Sequence, residues 1–543
     1  MNALLVLPEW LMPYGGMAEP ALATESLVLV GALLLVPGRL GRWLAPGVVV
    51  LLLVTLALAL SDLGTYWALG RPLNLYIDLP LAASVEHLLR GAIGKPLAWL
   101  VLGLAAAMVV LIAWQLSRWL TGLVAMRWHA GIQGLGLCLV LVGLTLGHWR
   151  EVPAIDRFID APLSIRLTDQ VARTAATARE HRRFPERLAD LPPSRVSLDR
   201  LAGRDVIMGF VESYGVVMTT DARYQAIGTA ALEALDDELQ AAGLDVVTGH
   251  FDSPVQGGQS WLAHGTALSG LWLDSQIRYD LFLAEGRSSL IDDFEREGYR
   301  SVAVMPAITK PWPAGKQWGY DQIHDDARID YAGPALNWVT MPDQYTWHYF
   351  ENQVRHSSDE PVFAELALIS SHAPWTPILE RLDWDTLGDG EVFQRYAEAG
   401  PSPAAVWGDR DRIRRHYAEA VDYALRTAGE WAARYLDDGV LVLLGDHQPA
   451  PLITGDAASR SVPVHIIASD ASLLADFEAQ GFSPGPQGAA APLGSLADLR
   501  GVLLTVLEQG ADAPQTAAAG AAMWHPVSES IGAIAWNPTA YWW

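Results

Sequence analysis

Apolar and polar positions divide this chain into two unlike parts. Four apolar runs crowd the first 148 residues, at about 21–38, 43–62, 96–117 and 130–148. A bilayer core takes about 20 apolar residues per helix, and the second and third runs meet that without interruption. Glu25 and Pro37 interrupt the first run, and the fourth is rich in glycine. The pattern predicts an α-helical membrane domain of about four transmembrane helices. The N-terminus carries no basic stretch and further apolar runs follow, which is unlike a cleaved signal peptide.

The pattern changes at residue 149. Residues 149–200 are polar and Arg-rich and run into Pro192-Pro193; they read as a linker with one amphipathic helix near 163–183. From 204 onward, short apolar runs alternate with amphipathic segments. The runs predict strands at 204–211, 244–249, 300–305, 362–370, 439–445 and 462–468. The amphipathic segments predict helices at 225–242, 260–272, 286–298, 408–437 and 496–508. Strands alternating with helices imply an α/β domain with a mostly parallel sheet. The expected organisation is therefore a transmembrane domain over 1–148, a linker over 149–200 and an α/β domain over 201–543. The Ala/Gly/Pro-rich segments 483–494 and 510–522 read as loops. The terminal Tyr541, Trp542 and Trp543 would pack on the domain or touch the membrane interface.

Charge sharpens the division and gives it a direction. Residues 1–148 hold seven Lys and Arg against six Asp and Glu, a net of +1, and the remainder carries −25. Arg39 and Arg42 lie between the first pair of runs, and Arg118 and Arg127 between the second pair. Because basic loops stay in the cytoplasm, both turns are expected inside and both ends of the membrane domain outside. This predicts a multi-pass membrane protein whose large domain lies outside the cytoplasm. The stretch 79–93 between the pairs is either an amphipathic segment on the outer face or a plain connector. The whole chain is 51% hydrophobic and 18% charged, with a mean hydropathy of +0.18, an average of these two parts. So acidic a body would repel nucleic acid, which binds basic surfaces. Cys138 is the single cysteine, which excludes an intrachain disulfide and a cysteine-based zinc site.

Three polar clusters stand where predicted strands end. The first strand gives way to Glu212-Ser213-Tyr214-Gly215, and a late strand to Asp446-His447-Gln448-Pro449. Between them, Gly257-Gly258-Gln259-Ser260 opens a predicted helix. Ligands of open parallel sheets bind beyond the carboxyl ends of the strands, so these clusters can converge. Two carboxylates and an imidazole suit a divalent cation. A serine hydroxyl beside that cation loses its proton more easily and becomes a nucleophile. A helix start favours an anionic group next to it.

The segments Phe210-Val211-Glu212-Ser213-Tyr214-Gly215, Gly-Gly-x-Ser and Gly445-Asp446-His447-Gln448-Pro449 resemble the alkaline phosphatase/sulfatase superfamily. Nearest in layout is the group of membrane-bound phosphoglycerol transferases that includes lipoteichoic acid synthase. The resemblance implies that Glu212, Asp446, His447 and Ser260 bind one divalent metal. Manganese is the usual ion, zinc or magnesium are alternatives, and a second metal near His465 is left open. It implies that Ser260 is the nucleophile, although that group has a threonine there. His372, in Ser371-His372-Ala373-Pro374-Trp375, corresponds to a substrate-contacting histidine. Trp338 and Asp343 lie in another segment that resembles the group and would contact substrate. His264, one helical turn beyond Ser260, would face either the site or the core. Lys310 and Lys316 flank Trp312 and form either a phosphate grip or a solvated loop.

Absent motifs narrow the reading. The Cys/Ser-x-Pro-x-Arg signature of sulfatases does not occur at Ser260, nor does a Gly-x-Ser-x-Gly elbow. No nucleotide-binding loop is present either, so a nucleotide donor is not expected. The implied activity moves a phosphoglycerol-type headgroup from a membrane phospholipid, through a phospho-serine intermediate, to a hydroxyl of a glycan or polymer. Phosphoethanolamine transfer, hydrolysis at the same site, and a catalytically dead lipid sensor are the alternatives.

Overall fold

The structure is a computed structural model. It describes residues 1–11, 22–36, 38–79, 89–90, 94–124, 130–149, 158–190, 197–455 and 458–508. Most of 79–93, the Pro192-Pro193 pair, the segment 510–522 and the terminal aromatics lie outside the described residues. The chain divides into two compact units, and the boundary between Glu180 and His181 falls inside one helix.

The first unit contains helices α1 (Asn2–Leu11), α2 (Thr24–Leu35), α3 (Gly38–Leu69), α4 (Lys95–Val124), α5 (Ala130–Trp149) and the start of α6 (Pro162–Asp190). Among the described residues, three stretches are long and apolar enough to cross a membrane: Leu40–Leu69, Lys95–Val124 and Gly131–Trp149. The first of the four predicted runs forms only the 12-residue α2. Its end has a local cause. Val36 is extended, the conformation favoured by a residue that precedes proline. The long helices keep their apolar side chains outward. Leu104, Val110, Leu111 and Leu144 are each more than half exposed, a surface suited to lipid and not to water.

The second unit is built on a nine-stranded sheet. Its principal strands are β1 (Val206–Val211), β2 (Asp245–Asp252), β3 (Arg300–Met305), β4 (Gln322–Asp325), β5 (Val362–Leu368), β6 (Val440–Gly445) and β7 (Ser461–Ala468). They lie in the order β2-β7-β6-β1-β5-β3-β4, with two-residue pieces at Ser483–Pro484 and Gly494–Ser495 completing the sheet beside β2. The five strands from β6 to β4 are mutually parallel, and β7 runs antiparallel to both β6 and β2.

The strands read as unbroken apolar runs because both faces are covered. Ile207 and Val211 of β1 face one core, with Trp347 and Trp431. Val206, Met208 and Phe210 face the other, with Leu262 and Leu268. The first face packs under α7 (Gln225–Ala241) and α10 (Arg410–Tyr435), and the second under α8 (Ser260–Ser269) and α11 (Leu496–Leu507). Phe184, Leu188 and Leu198 belong to the second core, so this unit takes in the last part of the stretch that reads as a linker. A further helix, α9 (Asp343–Tyr349), precedes β5 and continues directly into a π-helical turn, Phe350–Arg355.

Candidate functional site

Strand register gathers the candidate site. In the parallel pair β1/β6, Val211 stands opposite Gly445, so Glu212 and Asp446 leave neighbouring strands at one level. In the pair β1/β5, Val211 stands opposite Leu368, and Ser371 and His372 follow just beyond. The chain turns sharply over these ends. A Cβ on Gly445 would lie 1.7 Å from the Tyr214 carbonyl oxygen, so only glycine fits there. Ser213 adopts a left-handed conformation, φ +57, and its backbone N–H donates to Asp446 Oδ1 at 2.7 Å.

Ser260 arrives from the side as the first residue of α8. The preceding turn holds Gly257, Gly258 and Gln259 at φ +72, +148 and +66, a run that glycines tolerate. The Gly257 N–H donates to the Gln448 carbonyl at 2.9 Å, which ties the start of the helix to the Asp446-His447 loop. The Ser260 hydroxyl then lies 3.0 Å from Glu212 Oε2 and 3.2 Å from His447 Nε2.

The donor set fits a divalent cation. His447 Nδ1 lies 2.9 Å from the Gln448 carbonyl. Donation of its N–H there leaves Nε2 with a lone pair facing the cluster. Asp446 Oδ1 accepts two backbone N–H groups, from Ser213 and His447, and Oδ2 stays free to ligate. His447 Nε2 is 3.4 Å from Glu212 Oε1 and 3.5 Å from Asp446 Oδ2. These spacings bring donor atoms from three residues within reach of one divalent ion. Glu212, Asp446 and His447 are the group of three possible ligands within mutual reach among the described residues.

Charge follows geometry. Burial would raise the Glu212 carboxyl. His447 and His372, with the Ser213 and Ser260 hydroxyls, overcome burial and bring it down to about 2. Burial and then the neighbouring Glu212 push Asp446 up to about 6. His447 would be lowered by burial, but Asp446 and Glu212 raise it above the usual range. Two carboxylates and a proton-holding imidazole share one small space, where a cation would replace the proton.

The remaining candidates separate. His372 follows β5, its Nδ1 2.6 Å from the Ala373 carbonyl and its ring 6.4 Å from that of Trp338; its charge acts on Glu212. Asp343 is fully buried at the start of α9. Its Oδ1 accepts the N–H groups of Ile369 and Ser370, so it braces the turn that leads to His372. Burial raises its carboxyl to about 7. Lys310 is exposed on the loop after β3, two strands from β1. His264 lies beneath Ser260 and bonds to Glu365, a residue that sequence reasoning missed. Its signal was there, a lone carboxylate inside the apolar run of β5. His465 stands in mid-strand, with both ring nitrogens hydrogen-bonded to the Tyr214 and Thr248 hydroxyls, and so has no lone pair left for a second metal.

Scanned against protein-family models the chain matches none, and a search of curated proteins returns no match. Solved structures do match. Lipooligosaccharide phosphoethanolamine transferase EptA of Neisseria meningitidis is similar at 12% identity, over 85% of this chain and 84% of that one, with a TM-score of 0.46. Lipoteichoic acid synthase LtaP of Listeria monocytogenes is similar at 16% identity, over 57% and 73%, with a TM-score of 0.36. The phosphoglycerol transferase GacH of Streptococcus pyogenes, in complex with sn-glycerol-1-phosphate, is similar at 12% identity, over 63% and 87%, with a TM-score of 0.35.

Proposed function

We propose that this protein is a metal-dependent, membrane-anchored transferase. It would move a phosphoglycerol-type headgroup from a membrane phospholipid to a glycan or polymer hydroxyl outside the cytoplasm. The observation that carries the reading is the meeting of the Ser260 hydroxyl, at a helix start, with Glu212, Asp446 and His447. A divalent metal held by these residues, manganese as the first choice, would withdraw charge from the serine oxygen and from the phosphoryl group.

The protein's own groups account for the rest. Ser260 Oγ is held by Glu212 and His447 and would attack the phosphoryl group from that position. The start of α8 favours the phosphoryl charge. His372 and Trp338, on the β5 side, are positioned to contact the headgroup or the departing lipid oxygen. Lys310 lies farther out and would meet charge on an approaching acceptor. The long apolar helices supply the reason for a lipid donor. Arg118 and Arg127 place the α4 end that precedes α5 inside, so α5 would carry the chain to the opposite side. ATP is scarce there and phospholipid is abundant.

The test uses purified full-length protein, manganese and fluorescent phosphatidylglycerol, followed for diacylglycerol release, with Ser260→Ala beside it. Release by the parent alone supports the reading. Release by neither, with metal bound, overturns the phosphoglycerol donor. Release of the headgroup only to water, whatever acceptor is offered, makes the protein a hydrolase.

A further inference from the structure

Beneath Ser260 lies a buried polar chain that the metal cluster does not use. His264 is on α8, one turn beyond Ser260, and its ring stacks on Phe210 with centroids 3.8 Å apart. Its Nδ1 is 2.6 Å from Glu365 Oε1, and the other carboxylate oxygen of Glu365 accepts from the Tyr320 hydroxyl. Burial and Glu365 raise that phenol well above its usual range, so it stays a donor. A carboxylate in mid-strand with only 2% of its side chain exposed is costly unless it is paired. Apolar packing alone would be served better by a Leu at 365.

The direction of the ring matters. Glu365 pairs in register with Met208, three residues before the end of β1, so it lies below the level of the site. The ring meets Glu365 through Nδ1, so Nε2 is the nitrogen left to face anything else. Nothing among the described residues hydrogen-bonds Nε2. The side chain keeps 13% of its surface exposed, and the charge of His264 reaches Asp446.

We propose that the Glu365–His264 pair is a phosphoryl-oxygen anchor, in which His264 Nε2 donates a hydrogen bond to a non-bridging oxygen of the phosphoryl group poised over Ser260. This rests on the reading of Ser260 as the residue that meets the phosphoryl group. An imidazolium between the Glu365 carboxylate and a bound phosphoryl anion donates on both sides. Glu365 and Tyr320 are positioning residues: they set the tilt of the ring and keep Nδ1 occupied. The pair supplies a fixed protein donor to the substrate, separate from the ligands of the cation.

The test measures binding of inorganic phosphate to full-length, manganese-loaded protein by calorimetry, together with manganese affinity and melting temperature. His264→Gln is expected to weaken phosphate binding at least about tenfold. Glu365→Gln is expected to weaken it severalfold, with manganese affinity unchanged in both. Tyr320→Phe, which removes only a hydroxyl, gives a smaller loss in the same direction and serves if either of the others fails to fold. Unchanged phosphate affinity in His264→Gln overturns the proposal, as does a matching loss of manganese affinity or a parent that binds no phosphate. His264-dependent phosphate binding without any lipid turnover would remove the lipid donor and keep the anchor. Lipid turnover with His264-independent phosphate binding would do the reverse.

Discussion

Two regions of the sheet bury a histidine in opposite ways. At the strand ends, His447 lies among Glu212 and Asp446 with Nε2 turned to them and to Ser260. In the interior, His465 on β7 lies between the Tyr214 and Thr248 hydroxyls, at 3.0 and 2.8 Å. Both side chains are fully buried. The carboxylates raise the first imidazole, whereas burial and then His250 lower the second to about 3. Burial therefore does not mark a functional histidine. The mark is a ring nitrogen gathered with two carboxylates and a hydroxyl, an excess of negative charge that asks for a cation. The interior histidine is complete as it stands, and so it is structural.

This contrast can be broken at several points. The largest effect belongs to the strand ends, where Ser260→Ala should lower headgroup transfer by about 10⁴-fold or more, measured as diacylglycerol release, without loss of folding. Asp446→Asn should weaken manganese binding by at least about 100-fold in a metal titration, whereas His465→Gln should leave it unchanged. A third effect depends on pH. Asp446 must be ionised and His447 neutral to ligate, and the fold raises both, Asp446 to about 6, so manganese affinity should rise with pH and fall by at least about tenfold per unit below 6.

The interior gives a smaller effect, and it is one of stability. The folded pKa of His465 lies below its free value of 6.5. Its contribution is therefore complete above 6.5 and is lost as pH falls from there toward 3. Denaturant midpoints across that range should show this loss in the parent and a shallower one in His465→Gln. Smallest is Tyr214→Phe, which leaves one imidazole nitrogen without a partner and should cost about 1–2 kcal/mol in chemical unfolding. Manganese affinity lost on changing Tyr214 or His465 would erase the distinction.

The sequence made the sheet visible because parallel strands covered on both faces become apolar runs. The residues just past those runs, Glu212 and Asp446-His447, could be picked out for the same reason. Other features left no such trace. Strand β4, Gln322–Asp325, is polar and lies at the edge of the sheet, so no apolar run announces it. The antiparallel direction of β7 is set by its crossover and leaves its composition unchanged. Helix α9 is packed on several sides by aromatic rings, Trp347 stacking on Trp431 at 4.4 Å, and so lacks an amphipathic period. Residues 24–35 carry the apolarity of a membrane span without its length. The His264–Glu365 contact joins residues 101 apart in sequence, and only the register of β5 against β1 brings them together.

The central claim is that Ser260 accepts the phosphoryl group over the Glu212–Asp446–His447 cluster. Mass mapping of full-length, manganese-loaded protein, incubated with phosphatidylglycerol in the absence of acceptor, tests it most directly. The account predicts a phosphoglycerol adduct on the peptide containing Ser260, lost when an acceptor hydroxyl is supplied. Diacylglycerol release that proceeds with no adduct on that peptide, or with the adduct on another residue, would contradict it.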